Sequence, residues 1–221
     1  MPGDDGKYCE LVIRDCGLVR YGQALREQQD LCQQRQEDII CNTVLLVEHE
    51  PVITLGARKS ENKLLVGDKE LEKQGIEVVK VGRGGGTTAH NPGQLVVYPI
   101  VKLRSLGLGV NEYVKELESI GIEVFEHFAV KCGRRKGYPG LWVGERKIGS
   151  IGVQVKRGVT LHGMALNINN DLGIFENIVP CGIEKVVMTS LMKETGKEVS
   201  MEAVKENASE LCRAHLTLKR R

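Results

Sequence analysis

The chain has 221 residues, of which 41% are hydrophobic and 27% charged, with a formal net charge of +2. That composition excludes disordered and fibrous classes, and the near balance of charge gives no global field that would mark a nucleic-acid or membrane-surface binder. Aromatic residues make up only 4%, too few for a platform that stacks single-stranded bases. The length suits one domain with a sizeable core, and residues 1–221 are read as a single domain.

Residues 10–15 alternate as a short strand, and a helix follows with Leu18, Tyr21, Leu25 and Cys32 at roughly helical spacing. The Gln, Arg and Glu residues between them read as its solvated face. Residues 43–48 and 52–56 are apolar and β-rich, divided by Glu50-Pro51, because proline cannot donate to a ladder. A short helix is expected over residues 68–73, then a strand over 76–81 that delivers the chain into a glycine-rich loop. Residues 95–101 read as a central strand. Val110, Tyr113, Val114 and Leu117 mark an amphipathic helix that should end near Gly121. Over residues 141–168 the order is strand, turn, strand, turn, strand, which implies antiparallel pairing. Ser200 is a good N-cap for a terminal helix that presents Met201, Val204, Ala208, Leu211 and Cys212 on one face. Hairpins mixed with separated helices favour an α+β fold with a mixed or antiparallel sheet packed by helices.

The seven cysteines, at 9, 16, 32, 41, 132, 181 and 212, contain no Cys-x-x-Cys pair and so no common structural zinc pattern. The opening residues lack a basic region followed by an apolar stretch, and no run approaches the roughly 20 apolar residues of a membrane span. A reducing cytoplasm with reduced thiols is the simplest setting. The alternative is the mitochondrial matrix, if the chain is a processed eukaryotic form.

Four segments have the composition of a site. Cys181 stands between Pro180 and Gly182 on a turn, where glycine leaves room beside the sulfur; the alternative is a semi-buried thiol acting as a small hydrophobe. The loop Arg83-Gly84-Gly85-Gly86-Thr87-Thr88-Ala89-His90 resembles a dinucleotide fingerprint only superficially, since Asn91-Pro92-Gly93 forbids the helix that must follow. No Gly-Lys-Ser/Thr follows either, which excludes a Walker-type loop. It is then either a tight turn between strands or a loop whose backbone approaches a ligand. Lys147, in a hairpin strand, is either solvated or placed near a thiol whose ionisation it would favour. His162 could be the base of a Cys-His pair, a structural histidine or a pocket wall. His49, His127 and His215 read as structural, without partners.

Arg83-Gly84-Gly85-x-x-Thr88-x-His90-x-Pro92-Gly93-Gln94 with Tyr98, Trp142-x-x-x-x-Lys147-Ile148, His162-Gly163-x-Ala165-Leu166-Asn167, Ile178-x-Pro180-Cys181-Gly182 and Thr189-Ser190-Leu191 closely resemble the lipoyl(octanoyl) transferases, also called lipoate-protein ligase B. The resemblance runs in order from about residue 11 to 191. It implies a fold similar to biotin and lipoate protein ligase catalytic domains, and transfer of an octanoyl group from acyl carrier protein to a lysine of lipoyl domains. Those domains belong to 2-oxoacid dehydrogenase complexes and the glycine cleavage H protein.

Carried over by matching positions, Cys181 would form the acyl thioester and Lys147 would lower its pKa. Arg83, Gly84, Gly85, Gly86, Thr87, Thr88, Ala89 and His90, then Ser150, Ile151 and Gly152, then Gly163, Met164 and Ala165 would bind substrate, with His162 and Tyr98 in support. The resemblance implies a monomer needing no ATP, metal or other cofactor; the acyl group arrives on the phosphopantetheine of the carrier protein. Two residues depart from the family's pattern: Ala89 stands where an aromatic is usual, which bears on acyl-length preference, and Asn91 where glycine is usual. The competing readings are an ATP-dependent lipoate or biotin-type ligase, a non-catalytic module that binds acylated proteins, and a cysteine hydrolase.

Overall fold

In the computed structural model, which describes residues 9–180 and 186–217, one large sheet runs through the centre. Its first strands are β1 (Val12–Val19) and β2 (Thr43–His49), joined by helix α1 (Tyr21–Gln36) and paired in parallel. The strands β3 (Val52–Leu55), β4 (Glu77–Lys80) and β5 (Thr87–His90) form a separate three-stranded sheet in the order β4-β3-β5, with α2 (Asp68–Lys73) between β3 and β4. The chain then returns through β6 (Gln94–Ile100), α3 (Leu103–Leu106) and α4 (Val110–His127). It next lays down a meander of β7 (Gly133–Arg135), β8 (Tyr138–Val143), β9 (Arg146–Lys156) and β10 (Val159–Asn167), and closes with β11 (Val187–Met188), α5 (Leu191–Thr195) and α6 (Met201–Leu216). The large sheet has the order β1-β2-β6-β10-β9-β8-β7, with β11 beside β9. The α+β class expected from the mixture of hairpins and helices is the one observed.

The central strands are buried on both faces and alternate between two cores. Val44 and Leu46 of β2 pack with Tyr113, Leu117, Ile120 and Phe125 of α4 and with Val204, Ala208 and Cys212 of α6. Leu45 and Val47 point the other way, to Ala24, Leu31 and Cys32 of α1. This is the period of two of a strand, here read by helices on both sides. The smaller sheet has its own core of Ile53, Leu71, Ile76, Ala89, Ile174 and Phe175.

Several expectations are corrected. Leu18 is in β1 and 54% exposed, so the buried face of α1 begins at Tyr21. That face also takes Gln28 and Arg35, which are not solvated: the Gln28 side chain accepts from the backbone N–H of His162 at 2.8 Å, and Arg35 Nε donates to Asn42 Oδ1 at 2.7 Å. Gly121 does not end α4 but lies in its buried face, where a Cβ would stand 2.4 Å from Leu141 Cδ1; this glycine serves the packing of α4 on β8. The parallel register Val12↔Thr43 brings Cys9 and Cys41 together, and they form a disulfide with Cα atoms 5.3 Å apart. Fully reduced thiols therefore do not describe this pair. No helix among the described residues is long and apolar enough to cross a membrane.

Candidate active site

Two of the predicted segments meet because of strand register, and a third lies over them. In the β9–β10 hairpin Gly152 faces Gly163, Ile151 faces Met164 and Ser150 faces Ala165. The glycine loop lies over this pair: Gly84 N–H donates to Val153 O at 2.9 Å, and a Cβ on Gly152 would come within 2.9 Å of Gly84 O. On the far side of β10 a Cβ on Gly163 would lie 2.2 Å from Val97 O, so only glycine fits against β6 at this position. The result is a narrow, mostly apolar cleft. Arg83, Gly84, Gly85, Thr88, His90, Tyr98, Ser150, Ile151, Gly152, His162, Gly163, Met164 and Ala165 line it, together with Tyr21 and Val96.

Gly86, Thr87 and Ala89 do not line it. Residues 87–90 form β5, not a loop, so alternate side chains diverge: Thr88 and His90 reach the cleft, whereas Ala89 packs in the core of the smaller sheet and Thr87 Oγ1 accepts from Lys63 N at 3.0 Å. Arg83 is buried and clamps the loop. Its Nη1 donates to Gly86 O at 2.8 Å and its Nη2 to Thr54 O at 2.8 Å.

One wall of the cleft is a buried aromatic cluster of Tyr21, His90, Tyr98 and His162, with His49 packed behind it. Burial, the largest cause in each case, brings the His49 and His162 imidazoles down to about 4 and His90 well below its usual range; the Arg83 charge adds to the effect on His162 and His90. At neutral pH these rings are uncharged, which suits an apolar ligand. His49 is not partnerless: its Nε2 lies 2.8 Å from Tyr98 Oη. Nor is His215, whose ring nitrogens meet Glu116 at 2.7 Å and Glu123 at 2.9 Å. His162 has φ +58°, with Nδ1 3.4 Å from Tyr21 Oη, and it lines the cleft as a neutral wall.

A chain of amides links His90 to the backbone of Lys147. Thr189 N–H donates to Lys147 O at 2.9 Å, and the Thr189 carbonyl accepts from Asn167 Nδ2 at 2.9 Å. A carbonyl can only accept, so Asn167 Oδ1 is left to receive Gln94 Nε2 at 2.9 Å, and Gln94 Oε1 to receive His90 Nδ1–H at 2.7 Å. One backbone carbonyl thus fixes two amide orientations and a histidine tautomer.

Lys147 is 1% exposed, not solvated. It sits three residues along β9 from Ser150, about 10 Å at the rise of a strand. Its Nζ donates to Pro139 O at 3.1 Å and stands 5.4 Å from the centroid of the Trp142 ring. Cys181 lies outside the described residues. The chain leading to it runs beside residues 63–65, with Leu65 N donating to Asn177 O and Val179 N to Lys63 O. On the other side of residues 181–185 the chain continues into β11, where Met188 pairs with Lys147. The free thiols that are described are inert by environment: burial raises Cys16 to about 11, Cys132 and Cys212 to about 12, and Cys32 above its usual value. Among the described residues no group of three or more His, Cys, Asp or Glu could hold a metal ion.

Tyr21 and Val96, which line the cleft, and Pro139 and Gly140, which lie against Lys147, are residues that reading the sequence missed. Each acts through tertiary placement or a backbone atom, and none stands in a segment with a local chemical signature.

The lipoyl protein ligase A/B catalytic domain model matches residues 20–212. An octanoyltransferase of Syntrophobacter fumaroxidans is 46% identical over 189 residues, 85% of this chain and 82% of its own. The mitochondrial octanoyltransferase LIP2 of Arabidopsis thaliana is 43% identical over 195 residues, 88% of this chain and 83% of its own. Among solved structures, the bipartite lipoate protein ligase of Thermoplasma acidophilum superposes with a TM-score of 0.69 at 14% identity, covering 96% of this chain and 85% of that one; that likeness concerns the fold alone.

Proposed function

This chain belongs to the octanoyltransferase family, within the lipoyl protein ligase A/B catalytic domains, and on that premise we propose that it moves an octanoyl group from acyl carrier protein to a lysine of a lipoyl domain through a thioester on Cys181. The observation that carries this reading is Lys147, an ammonium buried on β9 beside the strand into which the Cys181 segment continues. A positive charge placed near a thiol favours the thiolate, the form that attacks.

In the first step the Cys181 thiolate adds to the thioester carbonyl; the bond from that carbon to the pantetheine sulfur breaks, and the departing thiolate takes a proton. In the second, the neutral amine of the acceptor lysine adds to the same carbon, its proton leaves to solvent or base, and Cys181 departs as thiolate. The first exchange trades one thioester for another. The second ends in an amide, which is more stable, so the sequence runs without ATP. The neutral cleft of Ile151, Met164, Ala165 and Val96 would hold the alkyl chain, and Arg83 would act by holding the loop in shape.

Residues 1–221 then act as one catalytic domain and as a monomer, in the cytoplasm or, for a processed form, the mitochondrial matrix. The clients are lipoyl domains of 2-oxoacid dehydrogenases and the glycine cleavage H protein. The test supplies octanoyl-acyl carrier protein and a lipoyl domain without nucleotide. Acylation of the domain is expected. A requirement for ATP and free octanoate would replace this reading with an adenylate-forming ligase, and release of octanoate with no acylated domain would replace it with a hydrolase.

A further inference from the structure

Lys147 has β11 on one side and, on the other, one short stretch of β8. Trp142 is its cross-strand partner, 4% exposed. The indole is itself fixed, because Nε1–H donates to Tyr138 O at 3.1 Å. Pro139 O takes the Lys147 ammonium at 3.1 Å. Between these, Gly140 has φ +121°, a conformation that side chains avoid, and a Cβ there would lie 2.5 Å from the backbone carbonyl oxygen of Gly149, 2.8 Å from Lys147 Cε and 3.2 Å from its Nζ. The Gly140 N–H points to Glu118 Oε1 at 3.5 Å, and Arg134 Nε holds the other oxygen of Glu118 at 2.8 Å. The Arg135 guanidinium lies 5.0 Å from the centroid of the same Trp142 ring. The charged groups around this corner include Glu118, Arg134 and Arg135, the last paired with Glu145 at 2.9 Å.

We propose that Trp142 and Gly140 are positioning residues for Lys147: the indole face and the vacant Cβ position of β8 set where the ammonium lies, and the β7–β8 hairpin that carries them is part of the catalytic apparatus. An aromatic face attracts a cation, with Trp stronger than Phe and an aliphatic residue giving nothing. A side chain at 140 would occupy the space the lysine uses. What Lys147 then does rests on the transfer reading above; where it is held does not.

The test compares wild type with Trp142→Phe, Trp142→Leu, Gly140→Ala and Lys147→Met, with thermal unfolding to establish that each folds. Trace labelling of amines with acetic anhydride, read on the peptide containing Lys147, reports the enclosure directly. Loss of the ring should raise labelling by about two- to thirty-fold in Trp142→Leu, with Trp142→Phe between it and wild type, and Gly140→Ala should shift it in the same direction with the ring intact. If Trp142→Leu does not fold, Trp142→Phe decides, since a Cβ at position 140 also meets the Gly149 carbonyl of β9. Labelling unchanged in the folded variants overturns the inference. In parallel, the pH midpoint of Cys181 alkylation should rise by about 0.5–1 pH unit in Trp142→Leu, and kcat should fall several-fold with KM for the carrier protein unchanged. Lys147→Met is the control that separates the two readings. If it leaves the alkylation midpoint in place, the thiol–lysine reading fails while the labelling result stands; if it shifts the midpoint and the Trp142 variants do not, the positioning inference alone fails.

Discussion

Asn167 donates through Nδ2 to the carbonyl of Thr189 at 2.9 Å, and by that bond the cleft is tied to Lys147. The next link, Thr189 N–H to Lys147 O, is also 2.9 Å, and Asn167 Oδ1 serves Gln94 on the other side. Asn167 is 1% exposed, so removing its amide strands a donor on Gln94 and an acceptor on Thr189 in a place water does not reach. Asn167→Ala should cost about 1–3 kcal/mol, a fall of several degrees in Tm for a chain this long, and should lower transfer. An unchanged urea midpoint would mean that the network carries no stability.

Stability should fall on mild acidification. His49 and His162 titrate at about 4 in the folded chain against 6.5 unfolded, and His90 is displaced in the same direction. Between pH 6.5 and 4 the unfolded chain binds more protons than the folded one, so the unfolding free energy decreases as pH drops through that window and is unaffected by these groups above it. The denaturation midpoint should be flat from pH 8 to about 7 and decline toward pH 4.5. His162→Gln should decline less steeply than wild type. Parallel slopes would show that His162 does not titrate as its burial requires.

Electrostatic docking of the two protein substrates should depend on two exposed sites. Arg134 is already committed to Glu118, Ser119 and the Lys115 carbonyl, and Arg135 to Glu145 at 2.9 Å. Lys136, at the tip of the β7–β8 hairpin, and Arg157, at the β9–β10 turn, are both exposed, so reversing either charge does not break those pairs. Lys136→Glu or Arg157→Glu should raise KM for one protein substrate at low salt, and added salt should erase the difference. KM equal to wild type at low salt would remove that site from the docking surface.

The elements were legible wherever a local pattern was decisive. The meander from Leu141 to Asn167 follows its tight turns, and α6 follows Ser200, whose hydroxyl accepts from Ala203 N. Gly121 misled because glycine reads as a helix end, whereas here it admits the Leu141 side chain. β5 was hidden because Thr87-Thr88-Ala89-His90 follows three glycines; it is a strand because β3 supplies its partner, a tertiary fact. Lys147 illustrates the same limit. Its position in a hairpin strand was readable, but its burial depends on Trp142, Pro139 and Gly140, none of which announces a cation site in one dimension. The segments that line the cleft were found by composition and family resemblance together. The meeting of the β9 and β10 segments is set by their register, which the one short turn between them makes predictable. The glycine loop, by contrast, joins them through a tertiary bond from Gly84 N–H to Val153 O.

The most direct measurement is the intact mass of the protein after incubation with octanoyl-acyl carrier protein in the absence of ATP, for wild type and Cys181→Ala. Wild type should gain one octanoyl group and lose it to an added lipoyl domain, while Cys181→Ala stays unmodified. Transfer by Cys181→Ala at the wild-type rate, or a domain acylated with no adduct ever formed on Cys181, would contradict the thioester mechanism.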